Sequence, residues 1–490
     1  MSQAQAEAAL EGARVAAFAG DILKPSHIAE VNGAHALVAI GSKAFVIRQN
    51  SPEVPPADRV QFLGIDAFRH LMGKHQFLVG DKWKSLADIW LTHPDRRDYQ
   101  GIRFVPRPEE GEVSDDWFNL WQGFEVEPDP SGDCTLLLRH IEEIVCRGDA
   151  ATYEWVMAWF ASIFQKPRER YGTSLTLRGE MGAGKSLPGE IIGSLIAPHY
   201  FQVDDPRFIT GQFNSHLKAC LLLQAEEAFW AGDKQAEGRL KGMVTSSRQM
   251  IEHKGVDPIT MDNYVRLLVT SNEDWVVPAG LRERRFAVLD VSPEVVGNRE
   301  HFSEIHREMA KPGAKEALLY EMLNFPLQAI AMRVIPLTDA LLDQKLDSAD
   351  ATTQWWNECL EHGEIEPGHE WPMWMATRKL HGLYRSRCDK YHVRRPADER
   401  SFMKKLKALC PGLKRKRRGW EMPEEEDEGI DSENPAGTSS PPRRTRPWGY
   451  TIPDLPEARA ALEAAVGQAI EWDHEDPEDD DAGQAAGQSP

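Results

Sequence analysis

The densest chemical signal in the sequence is the run Gly179-Glu180-Met181-Gly182-Ala183-Gly184-Lys185-Ser186, which fits the pattern G-x-x-x-x-G-K-[ST]. Leu175-Thr176-Leu177 ahead of it reads as a strand, and the residues from Leu187 onward read as a helix. That is the context a phosphate loop requires. Its glycines let successive backbone N–H groups turn inward around phosphate oxygens, and the start of a helix adds partial positive charge. Lys185 would neutralise the β- and γ-phosphates, and Ser186 would ligate Mg2+. The expected ligands are therefore ATP and Mg2+, with Gly179, Glu180, Met181, Gly182, Ala183, Gly184, Lys185 and Ser186 as the nucleotide-binding run. Pro188 falls in the first helical turn, where its missing N–H has no intrahelical partner to lose.

Further along, Ala219-Cys220-Leu221-Leu222-Leu223 reads as a buried strand leading into Gln224-Ala225-Glu226-Glu227. Two adjacent carboxylates at a strand end suit a pair in which Glu226 holds the Mg2+ shell and Glu227 activates the attacking water. Taken alone, a strand ending in Glu-Glu is usually a solvated edge; following a phosphate loop, the catalytic reading gains. A third strand over 265–270 ends in Ser271-Asn272. The Asn272 amide there could sense the γ-phosphate, or simply serve a turn. Arg282, Arg284 and Arg285 then precede the apolar strand Phe286-Ala287-Val288-Leu289. A guanidinium delivered to a neighbour's site stabilises charge on a transferring phosphoryl group.

These residues need a scaffold. From 173 to 291 apolar strands alternate with helices, which is an α/β pattern. Before it, Ala36-Leu37-Val38-Ala39-Ile40 and Ala44-Phe45-Val46-Ile47 flank Gly41-Ser42-Lys43 as a hairpin. Residues 135–165 read as two helices joined at Gly148-Asp149, from the helical spacing of Leu137, Ile141, Ile144 and Val145 and then of Trp155, Ala158, Trp159 and Ile163.

With 490 residues the chain has room for several domains. A formal net charge of −20 argues, as an average, against a nucleic-acid binder. The charge is segregated, however. Residues 376–420 hold 16 Lys and Arg against 3 Asp and Glu, whereas 421–490 hold 4 against 19. The basic stretch includes Arg415, Lys416, Arg417 and Arg418, a density that favours phosphate contacts. In 455–472, Leu455, Leu462, Val466 and Ile470 could share one face of a short helix. The six cysteines form no C-x-x-C pair, which argues against a zinc ribbon or redox motif and fits a reducing cytoplasm. No apolar run approaches the roughly 18 residues that span a bilayer.

The order of these elements resembles superfamily 3 helicases, a viral branch of the AAA+ ATPases, and most of all the helicase half of phage and poxvirus-type primase-helicases. The likeness is densest over 171–291 and weaker from 77 to 365, where Trp90-Leu91-Thr92-His93-Pro94 and Trp355-Trp356 sit in places typical of such proteins. By this resemblance Gly179 to Ser186 is Walker A, Glu226 and Glu227 are Walker B, and Asn272 is the polar residue of motif C. Arg285, with Arg284 second, is the arginine finger. His253 and Lys254 sit at the tip of a DNA-contacting hairpin. Two features depart from the family: many members carry an Asp in Walker B, and the stretch before Gly179 leaves little room for a primase half.

The resemblance implies a P-loop, AAA+-like α/β core at 171–295. Around it lie an N-terminal α+β region (1–125), a helical collar-like segment (126–170), a helical segment (296–370), a basic winged-helix-like module (371–420) and an acidic, mostly disordered tail (421–490). It implies a cytoplasmic, ring-forming, hexameric replicative DNA helicase of phage or prophage type. Its partners would be single-stranded or fork DNA and a separate primase or polymerase, with no membrane. The alternative is a nucleic-acid-stimulated ATPase that initiates or loads without processive unwinding.

Overall fold

A computed structural model of the chain describes residues 23–79, 81–205, 207–211, 214–226, 234–253, 255–417 and 447–472. It is a mixed α/β protein of two units: Met1–Val276 with Ala287–Pro336, and Val277–Phe286 with Leu337–Pro490. Among the described residues no helix is long and apolar enough to cross a membrane.

The first unit opens with the strands β1 (His35–Ile40), β2 (Lys43–Gln49) and β3 (Val60–Gly64). Ala36, Val38 and Ile40 are buried at every second position, the period of a strand with one face on a core. β1 and β2 form the expected hairpin, with Ile40 opposite Lys43. A second hairpin joins β4 (Gln76–Val79) to β5 (Lys82–Ser85). β6 (Asp98–Tyr99) pairs in parallel with β1, and β7 (Gly101–Arg103) pairs with β8 (Trp117–Asn119).

The first of the two helices expected at 135–165 is a short turn of helix, Thr135–Arg139, that widens into a π-turn over His140–Val145. The second runs Ala150–Gln165 and starts on Asp149, whose carboxylate accepts from the Thr152 N–H at 2.7 Å. It is apolar around most of its circumference, with Trp155, Trp159, Phe160 and Phe164 all buried, as an internal helix must be.

The central sheet comprises β9 (Ser174–Arg178), β10 (Tyr200–Val203), β11 (Leu222–Glu226), β14 (Arg266–Ser271) and β15 (Phe286–Asp290), in the spatial order β10-β11-β14-β9-β15. Between β11 and β14 the chain makes the antiparallel hairpin of β12 (Arg248–Ile251) and β13 (Ile259–Asp262). The β10–β11, β11–β14 and β14–β9 pairings are parallel. All of β14 and the first four residues of β9 and β11 are buried, because both faces of the sheet are covered. β14 lies between β9 and β11, so its tip, Ser271-Asn272, emerges between the loop that follows β9 and the carboxylate that ends β11.

The second unit has a three-stranded antiparallel sheet of β16 (Trp374–Ala376), β17 (Lys414–Arg417) and β18 (Trp448–Thr451), in the order β16-β18-β17. Its helices Ala351–His362, Thr377–Lys390, Glu399–Leu409 and Leu455–Val466 bury Trp356, Tyr384, Phe402 and Leu462 in one core. Two expectations need correcting. The basic module does not end at 420, since β18 is the middle strand of its sheet. Nor is 421–490 a tail throughout: the short helix expected within 455–472 is Leu455–Val466, capped by Asp454 and Gly467, and its Arg459 donates from a buried position to the Leu360 carbonyl at 3.1 and 3.0 Å.

Candidate functional site

The loop from Gly179 to Ser186 connects β9 to the helix Leu187–Gly193. Its base is tied down by Arg178, which makes a two-pronged ion pair with Asp290 of β15 (Nε–Oδ1 2.6 Å, Nη2–Oδ2 2.9 Å) and donates to the Asp274 carbonyl at 2.9 Å. Gly179 N–H donates to Ser271 O at 3.2 Å, which fixes the loop to the tip of β14. Lys185 reaches back over the loop, its Nζ 2.7 Å from both the Gly179 and Glu180 carbonyls.

Two glycines have steric reasons. Gly184 has φ +82°, and a Cβ there would stand 2.7 Å from both His140 and Phe302. In the helix that follows, a Cβ on Gly189 would lie 2.0 Å from Gln224 Oε1. The helix Leu187–Gly193 therefore packs directly onto β11, and this close approach brings Glu226 near Ser186.

A cavity of about 280 Å³ opens at this point, lined by Met181, Gly182, Gly184, Lys185, Ser186, Leu187, Glu190, Glu226, Thr270, Ser271 and Asn272. It joins Lys185 and Ser186 to Glu226 and Asn272, which lie far from them in the sequence. Glu226 Oε1 accepts from Gln224 Nε2 at 3.0 Å, and Gln224 Nε2 also donates to the Ser186 carbonyl at 3.3 Å. Tyr200 donates its hydroxyl proton to Gln224 Oε1 at 2.9 Å. Gln224 thus bridges the loop and the carboxylate. Glu190 was missed in the sequence, though it stands four residues after Ser186 on the same helical face. Burial, and then the charge of Glu226, push the Glu190 carboxyl above its ordinary range. Two carboxylates facing one cavity next to a hydroxyl fit a hard divalent cation that also takes phosphate oxygens. No cluster of three or more metal-ligating side chains occurs among the described residues.

Beneath the loop lies a second contact that the sequence did not reveal. His140 is buried on the π-turn, with Nε2 3.2 Å from Gly184 O and Nδ1 3.0 Å from His301 Nε2. A carbonyl can only accept, so Nε2 of His140 carries the proton and Nδ1 accepts from His301. Burial drives the His140 pKa down to about 4, which keeps the ring neutral at pH 7. π-turns often mark functional sites.

The other anticipated residues lie elsewhere. The cavity lining comes from the first unit, whereas Arg284 and Arg285 belong to the second, in the segment Val277–Phe286. There the buried Glu283 carboxylate accepts from the backbone N–H of Arg284 (2.9 Å) and of Arg285 (2.8 Å), and stands 3.4 Å from the Arg285 guanidinium. His253 falls in the connection between β12 and β13. It is partly buried, and burial together with the charge of Lys218 lowers its pKa. Arg415, Lys416 and Arg417 lie exposed on β17. Glu227, Lys254 and Arg418 lie outside the described residues.

A family model described as a family of unknown function (DUF5906) matches residues 177–285, the stretch from β9 to Arg285. No curated protein matches the chain. Among solved structures the chain is similar to the apo C-terminal region of NrS-1 (residues 305–718), with TM-score 0.55 and 15% identity over 75% of this chain and 91% of that one. The A form of the same apo region gives TM-score 0.55 and 15% identity over 74% and 88%. This likeness is one of fold, and it extends well beyond the central sheet.

Proposed function

We propose that the first unit binds and hydrolyses ATP with Mg2+ and that the chain uses this turnover to translocate on DNA in replication, as a ring-forming helicase similar to superfamily 3. The observation that carries the reading is the convergence of Lys185, Ser186, Glu226 and Asn272 on one cavity at the ends of β9, β11 and β14. The loop glycines would turn N–H groups toward the phosphates while Lys185 leaves its two carbonyls to meet the γ-phosphate. Ser186 and Glu226, with Glu190 behind them, would hold Mg2+, which supplies charge neutralisation on the phosphoryl oxygens. Glu227 would take the proton of the attacking water and Asn272 would orient that water. Arg285, with Arg284 as its alternate, would act on the site of the next subunit in a hexamer. His253 and Lys254 would meet the translocated strand, and Arg415, Lys416, Arg417 and Arg418 the flanking DNA.

The likeness of three quarters of the chain to a C-terminal region of NrS-1 supports an architecture larger than a lone nucleotide-binding domain. The alternative is an initiator or loader that hydrolyses ATP on DNA without unwinding long duplexes. Strand displacement on substrates with 5′ and 3′ overhangs, run beside DNA-stimulated ATPase assays, separates the two. ATP turnover with displacement of one polarity is expected. Turnover without displacement selects the loader, and absence of turnover, or turnover undiminished in Lys185→Ala, removes the proposal.

A further inference from the structure

The second unit carries a groove of about 680 Å³ between the helix Glu399–Leu409 and the strands β17 and β18. Its cations come from three elements: Arg378 from the helix Thr377–Lys390, Arg400, Lys404 and Lys407 from Glu399–Leu409, and Arg415 from β17. Arg400, Lys404 and Lys407 recur at i, i+4 and i+7. They form a row along one helical face about 10 Å long at 1.5 Å per residue, longer than a single phosphate group. The opposite face of that helix buries Phe402, Leu406 and Leu409.

Charge pairing divides these helices. Lys379 pairs with Glu366 at 2.6 Å, Arg387 with Glu358 at 2.5 Å and Lys405 with Asp350 at 2.8 Å, all outside the groove. Among the described residues Arg378, Lys404, Lys407 and Arg415 form no ion pair. Among the described residues Glu399 is the single carboxylate in the groove lining. Uncompensated cations are thus gathered where the surface is concave.

The floor is aromatic. The Arg415 guanidinium lies 4.3 Å from the centre of the Trp448 ring and that of Arg417 4.6 Å from it, while Lys407 Nζ lies 4.9 Å from the Tyr450 ring. Cation–π contacts of this kind hold the charges in place without neutralising them. They also occupy the rings, so the floor is not offered as a stacking platform for the splayed bases of a single strand.

We infer that this groove binds the sugar–phosphate backbone of duplex DNA without nucleotide, seating a strand between the cationic face of the Glu399–Leu409 helix and the β17–β18 pair. The inference deepens the nucleic-acid part of the function proposed above. It names duplex as the form held, and places Arg378, Arg400, Lys404 and Lys407 beside Arg415 as the residues that hold it. An exposed helix of this width is admitted by the major groove of B-DNA.

The test is fluorescence anisotropy with a labelled 25-base-pair duplex and with one of its strands alone, without ATP, across a salt series. The triple variant Lys404→Ala, Lys407→Ala, Arg415→Ala should lose at least about tenfold in duplex affinity at low salt. Its slope of log K against log salt should fall by about 2 to 3, since each lost phosphate contact removes roughly 0.9. Glu399→Gln should act in the opposite sense and tighten duplex binding severalfold, an outcome that a merely damaged fold does not give. An unchanged slope in the triple variant, or wild-type binding of the single strand that equals or exceeds that of the duplex, overturns the inference. ATP turnover measured on the same preparations separates the two claims. Duplex binding lost in the triple variant of a chain that hydrolyses no ATP leaves the groove standing and removes the ATPase reading. Turnover in a chain whose triple variant binds duplex unchanged does the reverse.

Discussion

His140 Nε2 donates to the carbonyl of Gly184 across 3.2 Å, and this bond joins a buried π-turn to the last glycine of the Gly179–Ser186 loop. For the loop to turn N–H groups toward a phosphate, its carbonyls must face away, and a carbonyl facing the interior needs a donor. His140 supplies one, and His301 fixes the tautomer that makes this possible. Glu304 and Glu143 act on His301 and favour its charged form, against the larger effect of burial. The folded pKa of His140, about 4, lies below its ordinary 6.5, so the unfolded chain binds the proton more readily. Its stabilising contribution is therefore complete above pH 6.5 and is lost as pH falls toward 4. The drop should be at most about 3 kcal/mol for this residue. Melting temperatures between pH 7.5 and 4.5 should show the loss, and His140→Gln should flatten part of it. A variant whose pH profile matches wild type rules out this bond as the cause.

The two carboxylates in the cavity should differ in effect from Glu227. Glu226→Gln is expected to raise the Mg2+ concentration needed for half-maximal ATPase by about tenfold or more, and Glu190→Gln by a few-fold. Glu227→Gln should keep nucleotide binding yet lose most turnover, in keeping with a general base. ATPase rates titrated against Mg2+ distinguish these patterns; indistinguishable curves for Glu226→Gln and Glu227→Gln would abolish the division of labour.

How far the sequence revealed this site depends on whether a residue's role is local. The Gly179–Ser186 loop stood out because the G-x-x-x-x-G-K-[ST] pattern has fixed spacing along one loop. Glu226 and Asn272 were legible because each ends an apolar run, and strand ends at one edge of a parallel sheet lie together. His140 and Gln224 were not. Each acts across a packing contact set by topology, and neither sits in a pattern that marks it out. The charge average over 421–490 hid β18, whereas the Leu455–Val466 helix was legible from the spacing of Leu455, Leu462 and Val466, with Asp454 and Gly467 as its caps. Trp448 and Tyr450 gave no signal of their own as strand residues, because β18 pairs with β16 and β17 across long separations in the chain.

That correction changes what truncation should do. Ending the chain after residue 420 removes β18 from the middle of its sheet, along with Tyr450, Leu462 and Val466, which are buried in the second unit's core. The expected result is loss of cooperative unfolding in that unit, read by calorimetry or by protease sensitivity of 337–420. Ending the chain after 472 removes only residues beyond the Leu455–Val466 helix and should leave its melting intact. Equal stability of the two truncations would show that β18 and the helix are dispensable.

The final prediction concerns assembly. Glu283 fixes the backbone at Arg284 and Arg285, but its carboxylate stands 3.4 Å from the Arg285 guanidinium, long for a charge-assisted bond. The proposed finger role requires this group to leave Glu283 for a phosphoryl oxygen of another subunit. Arg285→Ala should therefore bind ATP normally and lose hydrolysis by roughly 10³-fold or more, the range typical of a finger supplied in trans. Mixing it with Lys185→Ala gives the sharper test. In mixed rings an intact Lys185 site can lie next to an intact Arg285, so activity should return above the sum of the separate variants. A cis arginine allows no such rescue, because every active site would then lack one of the two residues. If no mixing ratio restores turnover, and native mass spectra show only monomers with ATP and DNA present, the ring is wrong and the loader alternative takes its place.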